Sequence, residues 1–277
     1  MAQDPLIVPP GKKVHLKKHD PASTRHIPDR EAAEKQTQEA ANRIGRLQDL
    51  LYADGRRSLL VILQGMDASG KDGTVRRVFD SVNPTGITVT SFKTPSALEA
   101  RHDFLWRCHA AVPARGSIGI FNRSYYEEVA IVRVHADRFL PPDLRNFKNL
   151  WEMRYHLINE FEQILRLNGT KVLKFFLHIS RDEQQERFEE RQKDPTKQWK
   201  LAEGDFAERP FWNQYQDVFE QMLEHTSTAD NPWYIIPANR KWVRNYHVSR
   251  VVAGALNEMK LKWPKAQDKS LITRKFK

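Results

Sequence analysis

The sequence predicts an α/β fold, one five-stranded parallel sheet with helices on both faces. Three observations carry that expectation. Five apolar, strand-like runs punctuate the chain, helical stretches separate them, and strands that alternate with helices pair in parallel. The 277 residues suffice for one large domain with a substantial core, and no internal repeat or low-complexity tract divides them.

The elements follow in order. Residues 1–28 are rich in Pro, Lys and His without a sustained period, and read as an irregular basic arm. Residues 29–277 read as one domain. Its first helix emerges from "DREAAEKQTQEAANRIGRLQDLLYADGRRS", where Ala33, Ala40, Ile44, Leu47 and Leu51 share a helical spacing and Asp54-Gly55 ends the run. The strands are "LLVIL" (59–63), "ITVTSF" (87–92), "SIGIF" (117–121), "KVLKFFLHI" (171–179) and "WYIIP" (233–237). The longest helical stretch covers Leu144 to Leu167, and about 181–215 reads as a helical lid.

Composition sets bounds on function. No apolar run approaches the ~20 residues needed to cross a bilayer, and the amino terminus has no apolar segment long enough for a secretory signal. The single cysteine, Cys108, cannot form an internal disulfide, and reads as a small apolar side chain; a cytoplasmic location is expected. The formal charge of +10 favours polyanionic partners, whether nucleic acid, anionic lipid or a phosphate polymer, and charge alone leaves these open.

Four segments carry chemistry. "GMDASGKDGT" (Gly65–Thr74) fits G-x-x-x-x-G-K between a strand and a helix, where backbone N–H groups and a helix amino terminus close around phosphate oxygens. Phosphate contacts are expected over Gly65, Ala68, Ser69, Gly70, Lys71, Asp72, Gly73 and Thr74, with Lys71 neutralising the transferred group. Asp72 stands where a nucleotide-binding loop normally has a magnesium-holding Ser or Thr. Asp67 is the nearest replacement oxygen, a magnesium or general-base residue unless it merely caps the loop.

In "SIGIFNRSYYEEV" an apolar strand ends at Asn122-Arg123, so Asn122, Arg123 and Glu127 should face the phosphates, while Tyr125 and Tyr126 read as packing residues. "RDEQQERFEERQKDPTKQWKL" places Arg187 and Arg191 on one helical face, followed by Lys193, Lys197 and Lys200 around Pro195. This is either a lid over the phosphate donor or a solvated helix whose glutamates pair with the arginines. In "SFKTPSALEARHDFLWRCH", Lys93 and Arg107 could meet an anionic acceptor, and Phe104 and Trp106 either stack on a base or belong to the core.

These segments, in this order, resemble the polyphosphate kinase 2 family, with "GMDASGK", "FNRSYYEE" and "DPTKQWKL" as the matching blocks and a likeness running from about Arg30 to Leu256. "FLWRCHAAVPARGSIGIFNRSYYEE" looks most like the subgroup that accepts AMP as well as ADP. The resemblance implies a thymidylate-kinase-like P-loop kinase fold, a three-layer sandwich. It also implies Mg²⁺-dependent (or Mn²⁺-dependent) reversible transfer between inorganic polyphosphate and AMP, ADP or ATP, with guanine nucleotides as a second base class. By that resemblance Asp67 and Asn122 organise the metal, Lys71, Arg123 and Arg191 grip phosphates, Glu127 lies on the nucleotide side, and the chain forms a homodimer or homotetramer. Asn122 replaces the Asp of many members, one anionic ligand fewer. Two other readings compete: an ATP-dependent nucleoside monophosphate kinase, which would call for Ser or Thr after Lys71, and a P-loop nucleic-acid-binding protein, for which no RNA-module signature is present.

Overall fold

Ser58–Gln64 (β1), Ile87–Thr90 (β2), Ile118–Asn122 (β3), Thr170–His178 (β4) and Trp233–Pro237 (β5) form one parallel sheet in the order β2-β3-β1-β4-β5. This is a computed structural model, and it describes residues 6–266 together with 268, 272 and 274. Central β1 is buried along its whole length, which is why its sequence is a continuous apolar run rather than an alternation. Val61 pairs with Ile120 on one side and Leu173 on the other. The carboxyl ends of β1 and β3 lie side by side, Leu63 against Asn122. The chain leaves them in opposite directions, β1 toward β2 and β3 toward β4, and that divergence opens the crevice in which open α/β sheets bind ligands.

The helices, in chain order, are Arg30–Asp54 (α1), Lys71–Val78 (α2), Trp106–Ala110 (α3), Ile131–Val134 (α4), Ala136–Phe139 (α5), Pro142–Arg145 (α6), Leu150–Leu167 (α7), Arg181–Lys193 (α8), Glu203–Ala207 (α9), Trp212–Thr226 (α10) and Lys241–Glu258 (α11). α1 begins as Asp29 accepts the Ala32 N–H at 2.9 Å and ends at left-handed Gly55, whose N–H reaches the Leu51 carbonyl at 3.1 Å. It packs along α11 and against α2, while α7 and α10 pack together with α7 on β4.

The expected helix over Leu144 to Leu167 starts later, at Leu150. Asn149 is left-handed, with φ at 61°, and stops the helix from extending toward its amino terminus; Pro142–Arg145 is a separate turn. β2 likewise ends at Thr90, two residues short of the run that predicted it. The arm is pinned to the body. Val8 donates to the Trp233 carbonyl at 2.9 Å and Ile235 to that of Leu6 at 2.8 Å, so residues 6–8 cover the outer edge of β5. Leu16 is buried, and its N–H reaches the Glu220 carboxylate at 2.7 Å.

Tyr125 and Tyr126 are buried, as expected of packing residues, and both phenols donate to Glu162 of α7, at 2.9 and 2.7 Å. Lys174 of β4 completes this network, with its ammonium 2.8 Å from the other Glu162 oxygen. Cys108 is buried, and burial pushes its thiol up to about 12, where it stays protonated.

Candidate active site

β1 delivers the chain into the glycine-rich loop and α2 starts at Lys71. Gly70 takes φ 99°, and a Cβ there would lie 1.7 Å from Nη1 of Arg244; at Gly65, φ 140°, it would lie 2.6 Å from the Leu177 carbonyl oxygen. Both positions therefore need glycine. Ala68 and Arg123 also adopt positive φ, 62° and 68°, without that freedom, and such strain gathers at binding sites. Lys71 folds back over the loop, donating to the Gly65 carbonyl at 2.8 Å and the Met66 carbonyl at 3.2 Å. Burial, reinforced by Arg123, lowers its pKa to about 8, while Asp67, Glu127 and Asp72 pull it back upward.

The loop faces a cavity of about 1150 Å³. The Arg123 guanidinium donates to the Asp67 carboxylate, and the Asn122 amide nitrogen donates to that of Asp72. Glu127 accepts from Gln64 and lines the same wall. Of the expected phosphate contacts in the loop, Ala68, Gly70, Lys71, Asp72 and Gly73 border the cavity, while Gly65, Ser69 and Thr74 lie behind it.

The lid helix α8 meets the loop from the other side. Arg187 is buried and fully engaged: Nε with Glu183 at 2.7 Å, Nη1 with the Ala68 carbonyl at 2.8 Å, and Nη2 with the Ala238 and Asn239 carbonyls at 2.6 and 2.9 Å. Arg187 pairs with a glutamate, as the second reading of this segment expected, but it is buried rather than solvated, and the donors expected for phosphate go to backbone carbonyls. Arg191 faces the cavity 3.7 Å from Asp205 of α9, whose carboxyl is pushed up by burial. Lys197 and Lys200 border the cavity; Lys193 does not.

At the far end, Lys93 and Arg107 line the cavity with Phe104, and Arg107 donates to the Lys93 carbonyl at 2.7 Å. Trp106 instead stacks on His102 at 4.1 Å and is 38% exposed. The wall opposite is apolar and includes Val132, Phe139, Leu140 and Leu144.

Arg244 and the pair Glu128–Arg154 are cavity residues that the motifs did not identify. Arg244 is buried beneath the loop, Nη1 3.5 Å from the Ser69 carbonyl, and burial, then Arg187, brings its pKa down to about 10. Glu128 lies between Arg154 at 3.2 Å and Arg107 at 3.9 Å; burial raises its pKa against their pull. A signal was there to read. Arg154 falls in register with Ile158, Phe161 and Leu165 on the buried face of α7, and Arg244 sits among the buried positions of α11. A cation on an apolar face is one that the fold must supply with a partner.

Asp67, Asp72, Glu127 and Asn122 border the cavity with oxygens of the hard kind that Mg²⁺ prefers. Among the described residues no three or more His, Cys, Asp or Glu form a metal cage. That fits a cation held by one or two carboxylates and completed by phosphate and water oxygens.

A parallel sheet in this order, a lysine-bearing glycine-rich loop after β1 and a helical segment after β4 that meets that loop define a P-loop kinase fold. More narrowly, the model of the family described as Polyphosphate kinase 2 (PPK2) matches residues 28–264, and the chain belongs to that family. It is 44% identical over 264 residues to an AMP/ADP-polyphosphate phosphotransferase of Meiothermus ruber, covering 95% of this chain and 96% of that one. It is 45% identical over 258 residues to an ADP-polyphosphate phosphotransferase of Rhodopseudomonas palustris, covering 92% and 89%. The crystal structure of polyphosphate kinase 2 from Arthrobacter aurescens TC1 superposes with a TM-score of 0.88 at 38% identity, covering 97% of this chain and 95% of that one.

Proposed function

We propose that this chain transfers phosphoryl groups reversibly between inorganic polyphosphate and adenine nucleotides, converting AMP to ADP and ADP to ATP. The observation that carries the reading is the convergence of Lys71 and the Arg123–Asp67 pair at the mouth of the phosphate loop, with Arg191, Lys197 and Lys200 continuing the positive wall along the lid. Membership of the family and the names of the two relatives support the same donor and acceptors.

On this reading the end of a polyphosphate chain lies in the loop and the nucleotide enters by Lys93 and Arg107. Lys71, Arg123 and Arg191 offset the charge on the phosphoryl group in flight, and Asp67 fixes the Arg123 fork. An acceptor phosphate oxygen is already ionised, so orientation matters more than proton removal. Arg187, with its donors committed to carbonyls, braces the loop. Mg²⁺, or Mn²⁺ in its place, held by Asp67 with Asn122 and Asp72 nearby, would supply further neutralisation of the phosphate oxygens.

The region of about 181–215 serves as the lid of one domain spanning 29–277. Among the described residues no helix is long and apolar enough to cross a membrane. A cytoplasmic homo-oligomer is the proposed state, and the exposed stripe Met153, Leu157, Ile164 and Leu167 on α7 supports a face for self-association.

The test is product analysis with purified protein, Mg²⁺ and long-chain polyphosphate, offering AMP and ADP separately, with Lys71→Ala alongside. The expected outcome is ADP from AMP and ATP from ADP, both abolished in the variant. Transfer from ATP to AMP with none from polyphosphate would hand the site to an ordinary nucleoside monophosphate kinase.

A further inference from the structure

The far end of the cavity holds a guanidinium that the protein only half satisfies. Arg154 projects from the buried face of α7, and its side chain is 8% exposed. Among the described residues its hydrogen bonds all leave from Nη1, to the Glu128 carbonyl at 2.7 Å and the Glu128 carboxylate at 3.2 Å. The guanidinium carbon lies 5.0 Å from the Phe104 ring centroid and 5.6 Å from that of Trp151, so aromatic contacts hold the planar group in place while it borders the cavity. A guanidinium carries five donors, and those of Arg154 that the protein does not engage are open to the cavity that it borders. The edge formed by Nε and Nη2 therefore calls for an acceptor from the cavity.

That acceptor is anionic. Glu128 faces two guanidiniums, Arg154 at 3.2 Å and Arg107 at 3.9 Å, and Glu99 also acts on Arg107, so the Arg154 edge is the guanidinium face turned to the cavity. A planar guanidinium fork suits a phosphate. The fork is also distinct from the loop. Glu127 takes part in the charge cluster around Lys71 and Arg123, and its neighbour Glu128 points to Arg154 and Arg107.

We infer that Arg154, gathered with Arg107 by Glu128, binds the phosphate that a diphosphate acceptor carries and a monophosphate acceptor lacks. This rests on the proposed transfer from polyphosphate. In that reaction the attacking phosphate must lie beside Lys71 and Arg123 whichever acceptor is bound. A monophosphate presents its only phosphate there. A diphosphate presents its terminal phosphate there and sets its α-phosphate one unit further toward the nucleoside, within the Arg107–Arg154 fork. The fork is thus a determinant of acceptor choice.

The experiment compares wild type with Arg154→Gln and Arg154→Lys. Initial rates are measured from polyphosphate to AMP and to ADP, and AMP and ADP binding are titrated separately without polyphosphate. For Arg154→Gln the expected result is a loss of about tenfold or more in kcat/KM and in affinity for ADP, carried mainly by KM, with AMP changed less than about threefold. Arg154→Lys, which keeps the charge but loses the fork, recovers part of the ADP loss, and it carries the comparison if Arg154→Gln does not fold. Equal losses for the two nucleotides, or no loss for either, overturn the inference. If wild type moves no phosphoryl group from polyphosphate, the proposed function fails, and the binding titrations still decide whether Arg154 distinguishes ADP from AMP.

Discussion

Lys174→Met would leave the Glu162 carboxylate without its cation beneath the sheet, and Glu162→Gln would leave Lys174 without its anion. Both side chains are almost completely buried. Lys174 donates to Glu162 at 2.8 Å, to the Tyr126 hydroxyl at 3.1 Å and to the Thr226 carbonyl, while Glu162 also accepts from both tyrosines. Removing one member of a buried ion pair costs about 3–5 kcal/mol, because the other charge stays desolvated. The double variant removes both charges and keeps an amide carbonyl at that place on α7 for the phenols, so it should cost less than either single change. That corresponds to an interaction energy of at least about 3 kcal/mol. Urea unfolding of the four proteins measures it from midpoints at constant slope.

The pH dependence supplies a second check. Burial already holds the Lys174 pKa below its usual value, with Glu162 pulling it back up, so in Glu162→Gln it falls further. Between that lowered value and the unfolded value of about 10.4, the unfolded chain binds more protons. Stability of the variant therefore rises with pH across that window, and its deficit against wild type shrinks as pH rises from the Lys174 pKa of the variant toward that of wild type. A double variant costing the sum of the two singles, or a deficit unchanged with pH, would refute the reasoning. The network matters for function because Tyr125 and Tyr126 lie between Arg123 and Glu127.

Two further expectations concern other charges. Burial, then His19, lowers the His178 pKa to about 4, so the unfolded chain binds more protons between about 4 and 6.5. About 3 kcal/mol of stability, fully present above that window, is lost as pH falls through it; His178→Leu should flatten the fall in urea midpoint between pH 7 and 4.5, and an unchanged slope would exclude this histidine as its source. Lys200 borders the cavity and Lys193 does not. Lys200→Ala should raise KM for long polyphosphate several-fold and weaken its salt dependence, whereas Lys193→Ala should alter neither; equal effects would mean that the lid lysines attract polyphosphate wherever they face.

The inner strands were legible because burial on both faces makes each a local property, an apolar run that needs no knowledge of its neighbours, whereas edge strand β2, with Thr88 and Val89 exposed, gave only a short β-branched run. The start of α7 was not, because "RNFKN" has no Pro or Gly and the break depends on the left-handed turn at Asn149. The loop and its expected partners could be read from spacing, since a strand, a turn and a helix amino terminus are contiguous in the chain. Contacts made across long separations could not. Arg187 reaches the Ala68 carbonyl across 119 positions and Arg244 that of Ser69 across 175, and only the folded sheet brings α8 and α11 to the loop. Arg154 could be singled out by its place on the apolar face of α7, but its pairing with Glu128, 26 positions away, could not.

The two departures of the phosphate loop from a nucleotide-triphosphate cradle are best understood as one exchange. In P-loop NTPases a hydroxyl follows the loop lysine and a carboxylate stands on a neighbouring strand, both serving the metal. Here the carboxylate is Asp72, on the loop, and Asn122 ends the neighbouring strand. The Asn122 amide donates to Asp72, which an aspartate at that place would repel. Asp67, the second carboxylate of the loop, is met in the same manner by Arg123. Each anionic side chain of the cradle is thus matched by a donor from the end of β3 or the residue after it. On the proposed function, a loop with two carboxylates can then still accept a phosphate chain, because Lys71, the amino terminus of α2 and the cavity-facing Arg191, Lys197 and Lys200 remain to meet it.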